Sequence, residues 1–178
     1  MRSPEPGRRA LLDAGRVLLG SENLSKVSVN AITAGAGMAK GSFYQHWPSR
    51  DEFLLAVHRE FHDTLFAGVR AAIADVPPGV ERLRAGIEVY LDGCLADPAT
   101  KALLVQARTD AGLGGEVARR NALAADIAAE DLTAIGWPDP HSVAVLLIAA
   151  IAETALQELD ADAPRTDLRA ALLRLAER

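Results

Sequence analysis

"MAKGSFYQHWPSRDEFL", residues 38–54, sets two large aromatics four positions apart in a segment whose first half is otherwise small or polar. On a helical wheel of about 100° per residue Phe43 and Trp47 point together, while Gly41, Ser42, Tyr44 and Gln45 spread over the opposite arc and Lys40 stands at the N-terminal end. Two anchors inward and small polar groups outward describe a short helix that grips a core by one edge and offers its other face to a partner. A core helix would be more apolar, and a loop has no use for aromatics at helical spacing.

The flanks complete the pattern. Upstream, Ser28 is placed to cap a short helix carrying Val29, Ile32 and Ala36 and ending at Gly37. Downstream, Ser49 followed three residues later by Glu52 is a capping box opening a long helix, whose apolar positions Leu54, Val57, Phe61, Leu65, Val69 and Ile73 run on to "PPG" at 77–79. At ~1.5 Å per residue this helix is a rod of roughly 40 Å. A short helix, a turn containing Gly37 and a second helix with a polar face make a helix-turn-helix, in which the second helix enters the major groove of DNA. Gly41 permits close approach, Ser42 shares its face, and Lys40 and Gln45 carry groups able to bond base edges. Ser28, Tyr44, His46 and Arg50 suit phosphate contacts, helped where they stand at helix N-termini.

Charge agrees. The formal net charge of the 178-residue chain is −5, yet the first 60 residues hold eight basic against six acidic side chains and the remainder eleven against eighteen. That split fits an anion-binding module on an acidic body.

Outside this module the chain reads as all-α. Proline breaks helices, and the nine prolines fall between segments of helical periodicity; alternating β-type stretches are missing, so eight or nine helices and no strands are expected. A first helix runs from about Arg8 to Gly20 with Asn23 as a left-handed stop, and Leu83, Ile87, Tyr90, Leu91 and Cys94 mark a fifth. Asp97–Pro98 and Asp139–Pro140 start helices near 98 and 140, "GLGG" at 112–115 separates a helix ending near Asp110 from one over 116–135, and Leu168, Ala171, Leu172 and Leu175 mark the last.

The run "VAVLLIAAIA", 143–152, is too short to span a bilayer and reads as a helix buried on all sides. "MRSPEPGRR" has no apolar centre and is not a signal peptide, and the single cysteine, Cys94, suits a reducing compartment. A cytoplasmic protein without membrane contact is expected.

Enzyme signatures are missing from the sequence: it has no nucleophile elbow, metal cluster or phosphate loop, and "GLGG" reads as a helix connection. "HREFH", 58–62, puts His58 and His62 one turn apart with Glu60 turned away, which reads as a partly exposed pair on the rod and not a metal centre. No metal and no cofactor is expected. Cys94 reads as a small buried hydrophobe, and Trp137 beside Pro138 either plugs a helix junction or borders a pocket.

From Leu11 to Leu54 the sequence resembles the DNA-binding domain of TetR-type transcriptional regulators. The "LLDA" start, the "SV..I" second helix, "KGSFYQHW" and the "PSRDE" box stand at that family's spacings. Ala39 replaces a frequent Ser or Thr, Asn23 a common Gly and Arg16 a usual apolar residue. The resemblance implies a three-helix DNA-binding domain, residues 1–50, joined by the long helix to a helical effector-binding and dimerisation domain, residues 51–178. It implies a homodimeric repressor that binds double-stranded DNA at a pseudo-palindromic operator and is released by a small-molecule effector.

A pocket drawn from Phe66, Val69, Ile87, Tyr90, Leu91, Cys94, Leu103, Leu104 and Ala107 is largely aliphatic and favours an apolar effector. The all-round apolar helix near 143–159, with help from the last, is the expected dimer seam through Leu147, Ala149, Ile151, Ala152 and Leu172. Control by a protein partner instead of a small molecule is the alternative, and an enzyme or carrier that has borrowed the fold is a further rival.

Overall fold

The computed structural model describes residues 5–21, 26–97, 99–109 and 114–177. Asn23, Pro98 and the first half of "GLGG" lie outside them. Among the described residues there are nine helices and no strand: α1 (Glu5–Ser21), α2 (Val29–Gly35), α3 (Lys40–Tyr44), α4 (Arg50–Ile73), α5 (Val80–Ala96), α6 (Thr100–Thr109), α7 (Gly114–Ile135), α8 (Pro140–Ala161) and α9 (Thr166–Glu177). The chain divides into two compact units, Met1–Asp63 with Asp97–Leu113, and Thr64–Ala96 with Gly114–Arg178. The expected division at residue 50 gives all of α4 to the second domain, whereas these units share α4 between them and place α6 with the first.

Helix starts follow local chemistry. Ser28 caps α2, its hydroxyl oxygen accepting from Ala31 N at 3.2 Å. Ser49 accepts from Glu52 N at 3.1 Å, as the capping box requires. α1 begins earlier than expected: Pro6 lies in its first turn, where the missing N–H has no intrahelical acceptor to lose. Gly37 takes φ +64° in the turn between α2 and α3, a conformation that side chains disfavour.

The first unit is built on Leu11, Leu12 and Leu19 of α1, Val27, Ile32 of α2, Phe43, Trp47, and Phe53, Leu54 and Val57 of α4, all buried. Phe53 sits 5.3 Å from Phe43 and 4.9 Å from Trp47 between ring centroids, so three aromatics fix the orientation of α3. α6 packs on α1 in this unit. There Arg16, the charged residue at a usually apolar position, pairs with Asp97 at 2.5 Å, and Asp97 also accepts from Ala99 N just ahead of α6.

The second unit is a bundle in which α7 and α8 pack along each other and α5 packs on α7, α8 and α9. Ala125, Ala128, Ala144 and Ala155 are buried in it, letting the helices approach closely around Ile87, Leu91, Leu132, Leu147 and Ile151. Charged groups are buried in pairs. Asp131 accepts from Arg82 Nε at 2.6 Å and Gly79 N at 3.0 Å, and fully buried Glu158 accepts from Arg169 and from Arg165 N. Trp137 donates its indole N–H to Ala176 O at 2.9 Å, which makes it the plug between the start of α8 and the end of α9.

Two readings of the sequence are corrected. His58 and His62 are buried, not partly exposed, with ring centroids 4.4 Å apart. One turn of helix carries both rings inward because they share a stripe with Leu54, Phe61 and Leu65. The helix over 143–152 is not enclosed on all sides: Ala144, Leu147 and Ile151 are buried, but Val145 is 50% and Leu146 71% exposed. With its 22 residues α8 is, among the described helices, long and apolar enough to cross a membrane by length and composition alone. Its buried face is packed by protein helices, and Glu153 and Glu158 interrupt its second half.

Candidate nucleic-acid interface

α3 ends at Tyr44 with Gln45 as its C-cap, shorter than the spacing predicts, and Trp47 follows in a turn where its backbone N–H donates to Phe43 O at 3.1 Å. Phe43 and Trp47 are buried, Ser42 and His46 stand at the margin, and Lys40, Gly41, Tyr44 and Gln45 are exposed. Among the described residues, chain neighbours and the helix's own backbone aside, nothing stands within 4 Å of where a Cβ on Gly41 would be, so the face is open at its middle. Ala39, at the N-cap, makes no side-chain cap bond, the local consequence of having no hydroxyl there. The face therefore carries one ammonium, one phenol and one carboxamide over a floor of small residues. That inventory can donate to and accept from base edges and phosphates at once.

The flanking residues take more specific positions. Ser28 accepts a cap bond with its oxygen, which leaves its O–H able to donate to a phosphate. Arg50 is half-buried and donates from Nε to Val27 O at 2.6 Å, tying the start of α4 to the segment before α2. His46 lies against the first turn of α1: a Cβ on Gly7 would stand 3.4 Å from His46 Nε2 and 3.1 Å from Met38 Cε. Beside it the Arg8 guanidinium carbon stacks over Trp47, 5.2 Å from the ring centroid. That stack is not legible in the sequence, because only the packing of α1 on α3 brings positions 8 and 47 together.

Of the expected pocket residues, Phe66, Val69, Ile87, Tyr90, Leu91 and Cys94 belong to the second unit and Leu103 and Leu104 to the first. The side chain of Ala107 lies outside the described residues. Ile87, Leu91 and Cys94 are buried, and Phe66, Val69 and Tyr90 are half-buried. Burial, and then the neighbouring Cys94 with which it shares a hydrogen bond, pushes the Tyr90 phenol up, so Tyr90 is a neutral hydroxyl at any ordinary pH. Of the expected seam residues, Leu147, Ile151 and Leu172 are buried within the chain, Ala152 is half-buried and Ala149 exposed.

Comparison with known proteins agrees with this geometry. The sequence model described as "Bacterial regulatory proteins, tetR family" matches residues 11–57. An HTH-type transcriptional regulator of Mycobacterium tuberculosis is 32% identical over 143 residues, which cover 80% of this chain and 69% of the relative. The HTH-type transcriptional repressor KstR2 of the same species is 32% identical over 77 residues, covering 43% of this chain and 38% of its own. Among solved structures, a TetR-like transcriptional regulator from Rhodococcus sp. RHA1 superposes with a TM-score of 0.79 at 21% identity, covering 96% of this chain and 93% of that one. RolR in complex with resorcinol superposes with a TM-score of 0.67 at 19% identity, covering 97% and 88%. The chain belongs to the TetR family of bacterial transcriptional regulators, with a helix-turn-helix domain at its N-terminus.

Proposed function

We propose that the protein is a dimeric transcriptional repressor that reads a pseudo-palindromic operator through α3 and leaves it when a small apolar effector binds the second unit. The observation that carries the DNA-binding half is the exposed arc of Lys40, Gly41, Tyr44 and Gln45 held by inward Phe43 and Trp47. Lys40 and Gln45, with Ser42 beside them, read bases; Ser28, Tyr44, His46 and Arg50 hold phosphates. Repression is supported by the relative named a repressor. Such a protein works in the cytoplasm, as a regulator and not a catalyst.

The effector site in this reading is lined by Phe66 and Val69 of α4 and by Ile87, Tyr90, Leu91 and Cys94 of α5. α4 runs unbroken from Arg50, beside the DNA-reading segment, to Ile73 in the second unit, so a ligand that favours one position of its far end biases the head. The fold-mate crystallised with resorcinol supports a small, mainly apolar ligand, with the neutral Tyr90 hydroxyl as a polar anchor. Homodimerisation is supported by the exposed apolar start of α8, Val145, Leu146 and Ala149.

Selection of bound duplexes from a random DNA pool, followed by screening small phenols and apolar acids for release, tests the reading. A recovered inverted repeat and a releasing ligand are expected. Loss of the operator's effect on ligand affinity would remove effector control, because coupling is reciprocal. A captured protein that releases the DNA in place of any small molecule would establish the alternative.

A further inference from the structure

We infer that Arg8 is a DNA-backbone contact, a phosphate clamp at the start of α1 that Trp47 holds in place; the inference rests on α3 being the DNA-reading helix. Several cations of the first unit are committed to carboxylates. Arg9 bonds Asp13 and Glu60, and Arg16 pairs with Asp97. Arg8 is exposed, and among the described residues no carboxylate pairs with it; Glu5, one turn earlier, does not reach it. Among the described residues Arg8 meets the Trp47 ring, 5.2 Å from the centroid.

A cation–π contact positions a guanidinium without neutralising it, so the ring holds a charge that can still take an anion. Trp47 cannot easily turn away. It is buried, with Phe53 at 4.9 Å and Phe43 at 5.8 Å between centroids. Among the described residues Arg8 is thus a pre-positioned cation without a carboxylate partner, in the basic N-terminal third of an acidic protein.

Position names the anion. In a helix-turn-helix the reading helix lies in the major groove while elements packed beside it cross the backbone, so a group on α1 beside the five-residue α3 faces the sugar-phosphate strands and not the base edges. Arg8 lies over Trp47, just past the C-terminal end of α3, and next to Gly7, where a Cβ would stand 3.4 Å from His46 Nε2. The bidentate geometry of its fork suits a phosphate diester.

The test measures binding of the full chain to a mixed-sequence duplex and to a duplex selected from a random pool, across a salt series. Arg8→Ala is expected to lower the slope of log affinity against log salt by about 0.9 per protomer, equally on both duplexes. Arg8→Lys should keep the slope and bind more weakly, because an ammonium keeps the charge and loses the fork. Should Arg8→Ala fold poorly, Arg8→Gln, neutral and of similar reach, reads the same slope. A native slope in the neutral variants, with Lys40→Ala and Tyr44→Phe weakening binding, would overturn the clamp and leave α3 as the reading helix. A slope lost in Arg8→Lys as fully as in Arg8→Ala would also overturn it. If Lys40→Ala, Tyr44→Phe and Arg8→Ala all bind both duplexes like the native chain, the clamp falls together with the interface.

Discussion

The ring of Phe53 closes on the bare α-carbon of Gly15: a Cβ there would stand 2.5 Å from Phe53 Cζ and 2.7 Å from Cε1. Phe53 cannot swing aside, being fully buried between Phe43 and Trp47. Gly15→Ala sets two effects against each other. Alanine favours a helix interior over glycine by about 1 kcal/mol, while overpacking a tight core costs about 1–3 kcal/mol. At this separation the clash is expected to win, lowering the melting temperature and, through displaced Phe43 and Trp47, weakening DNA binding. A raised melting temperature in calorimetry would show that helix propensity decides instead.

Fully buried Glu158 accepts from Arg169 Nε at 2.6 Å, from Arg169 Nη2 at 2.7 Å and from Arg165 N at 2.9 Å, while Arg169 also reaches Asp92 at 2.7 Å. One guanidinium thus ties α5, α8 and α9 together. Arg169→Met is expected to destabilise the second unit by about 3–5 kcal/mol, because it strands a buried carboxylate. The double variant with Glu158→Gln should recover part of that loss. Urea unfolding of both variants checks it, and additive effects in the pair would dissolve the proposed link.

Much of this was legible from local signals. Ser28 and Ser49 mark helix starts because a cap is decided within four residues, Pro140 stands in the first turn of α8 because its missing N–H costs nothing there, and Phe43 and Trp47 both turn inward because four positions make about one turn. What needs distant residues was not legible. Arg16 looked like an exception on α1 until Asp97 appeared opposite, and the Arg8–Trp47 stack joins positions 39 apart. In α8 the apolar run 143–152 concealed which side was inward, since periodicity needs polar residues to show a face. His58 and His62 read in the sequence as a partly exposed pair, although their spacing matches the buried stripe of α4.

Acid should weaken the second unit partly through Glu116. Burial pushes its carboxyl up, but hydrogen bonds from Arg120 and Arg119, and then their charges, outweigh this and bring its pKa down to about 2. A depressed carboxylate contributes stability that is fully present above its unfolded value and is lost as pH falls through its folded one. The contribution should therefore fade between about pH 4.5 and 2. Glu116→Gln is expected to melt lower than the native chain near neutral pH and to converge with it near pH 2. A constant gap across that range would assign the effect to packing.

On the DNA face the residues should separate into two classes. Tyr44→Phe removes a hydroxyl suited to a phosphate and is expected to weaken binding by a similar factor on every operator variant. Lys40→Ala and Gln45→Ala should relax preference at particular base pairs, by about 1–3 kcal/mol where a good contact is lost. A matrix of single-base operator variants distinguishes them. Flat profiles for both Lys40→Ala and Gln45→Ala would remove base reading from α3.

The start of α8 distinguishes assembly from folding. One turn of this helix exposes Val145 and Leu146, with Ala149 one turn on, while Ala144, Leu147 and Ile151 fill the interior of the bundle. The same residue type therefore does different work on the two faces. Glutamate at Leu146 would place a charge beside apolar Val145 and Ala149 once a second copy is seated, and a two-fold axis repeats the penalty on both protomers. Leu146→Glu is expected to give folded monomers that melt near the native temperature but bind the operator weakly, since one head reads only half of a palindrome. Ile151→Glu puts the charge at a site 7% exposed within the bundle, so loss of helix and aggregation should precede any simple dissociation. Light scattering read alongside far-ultraviolet circular dichroism separates the two outcomes. A full-strength dimer in Leu146→Glu would move the seam off this face of α8, and a folded monomer in Ile151→Glu would place it on the side that the bundle now encloses.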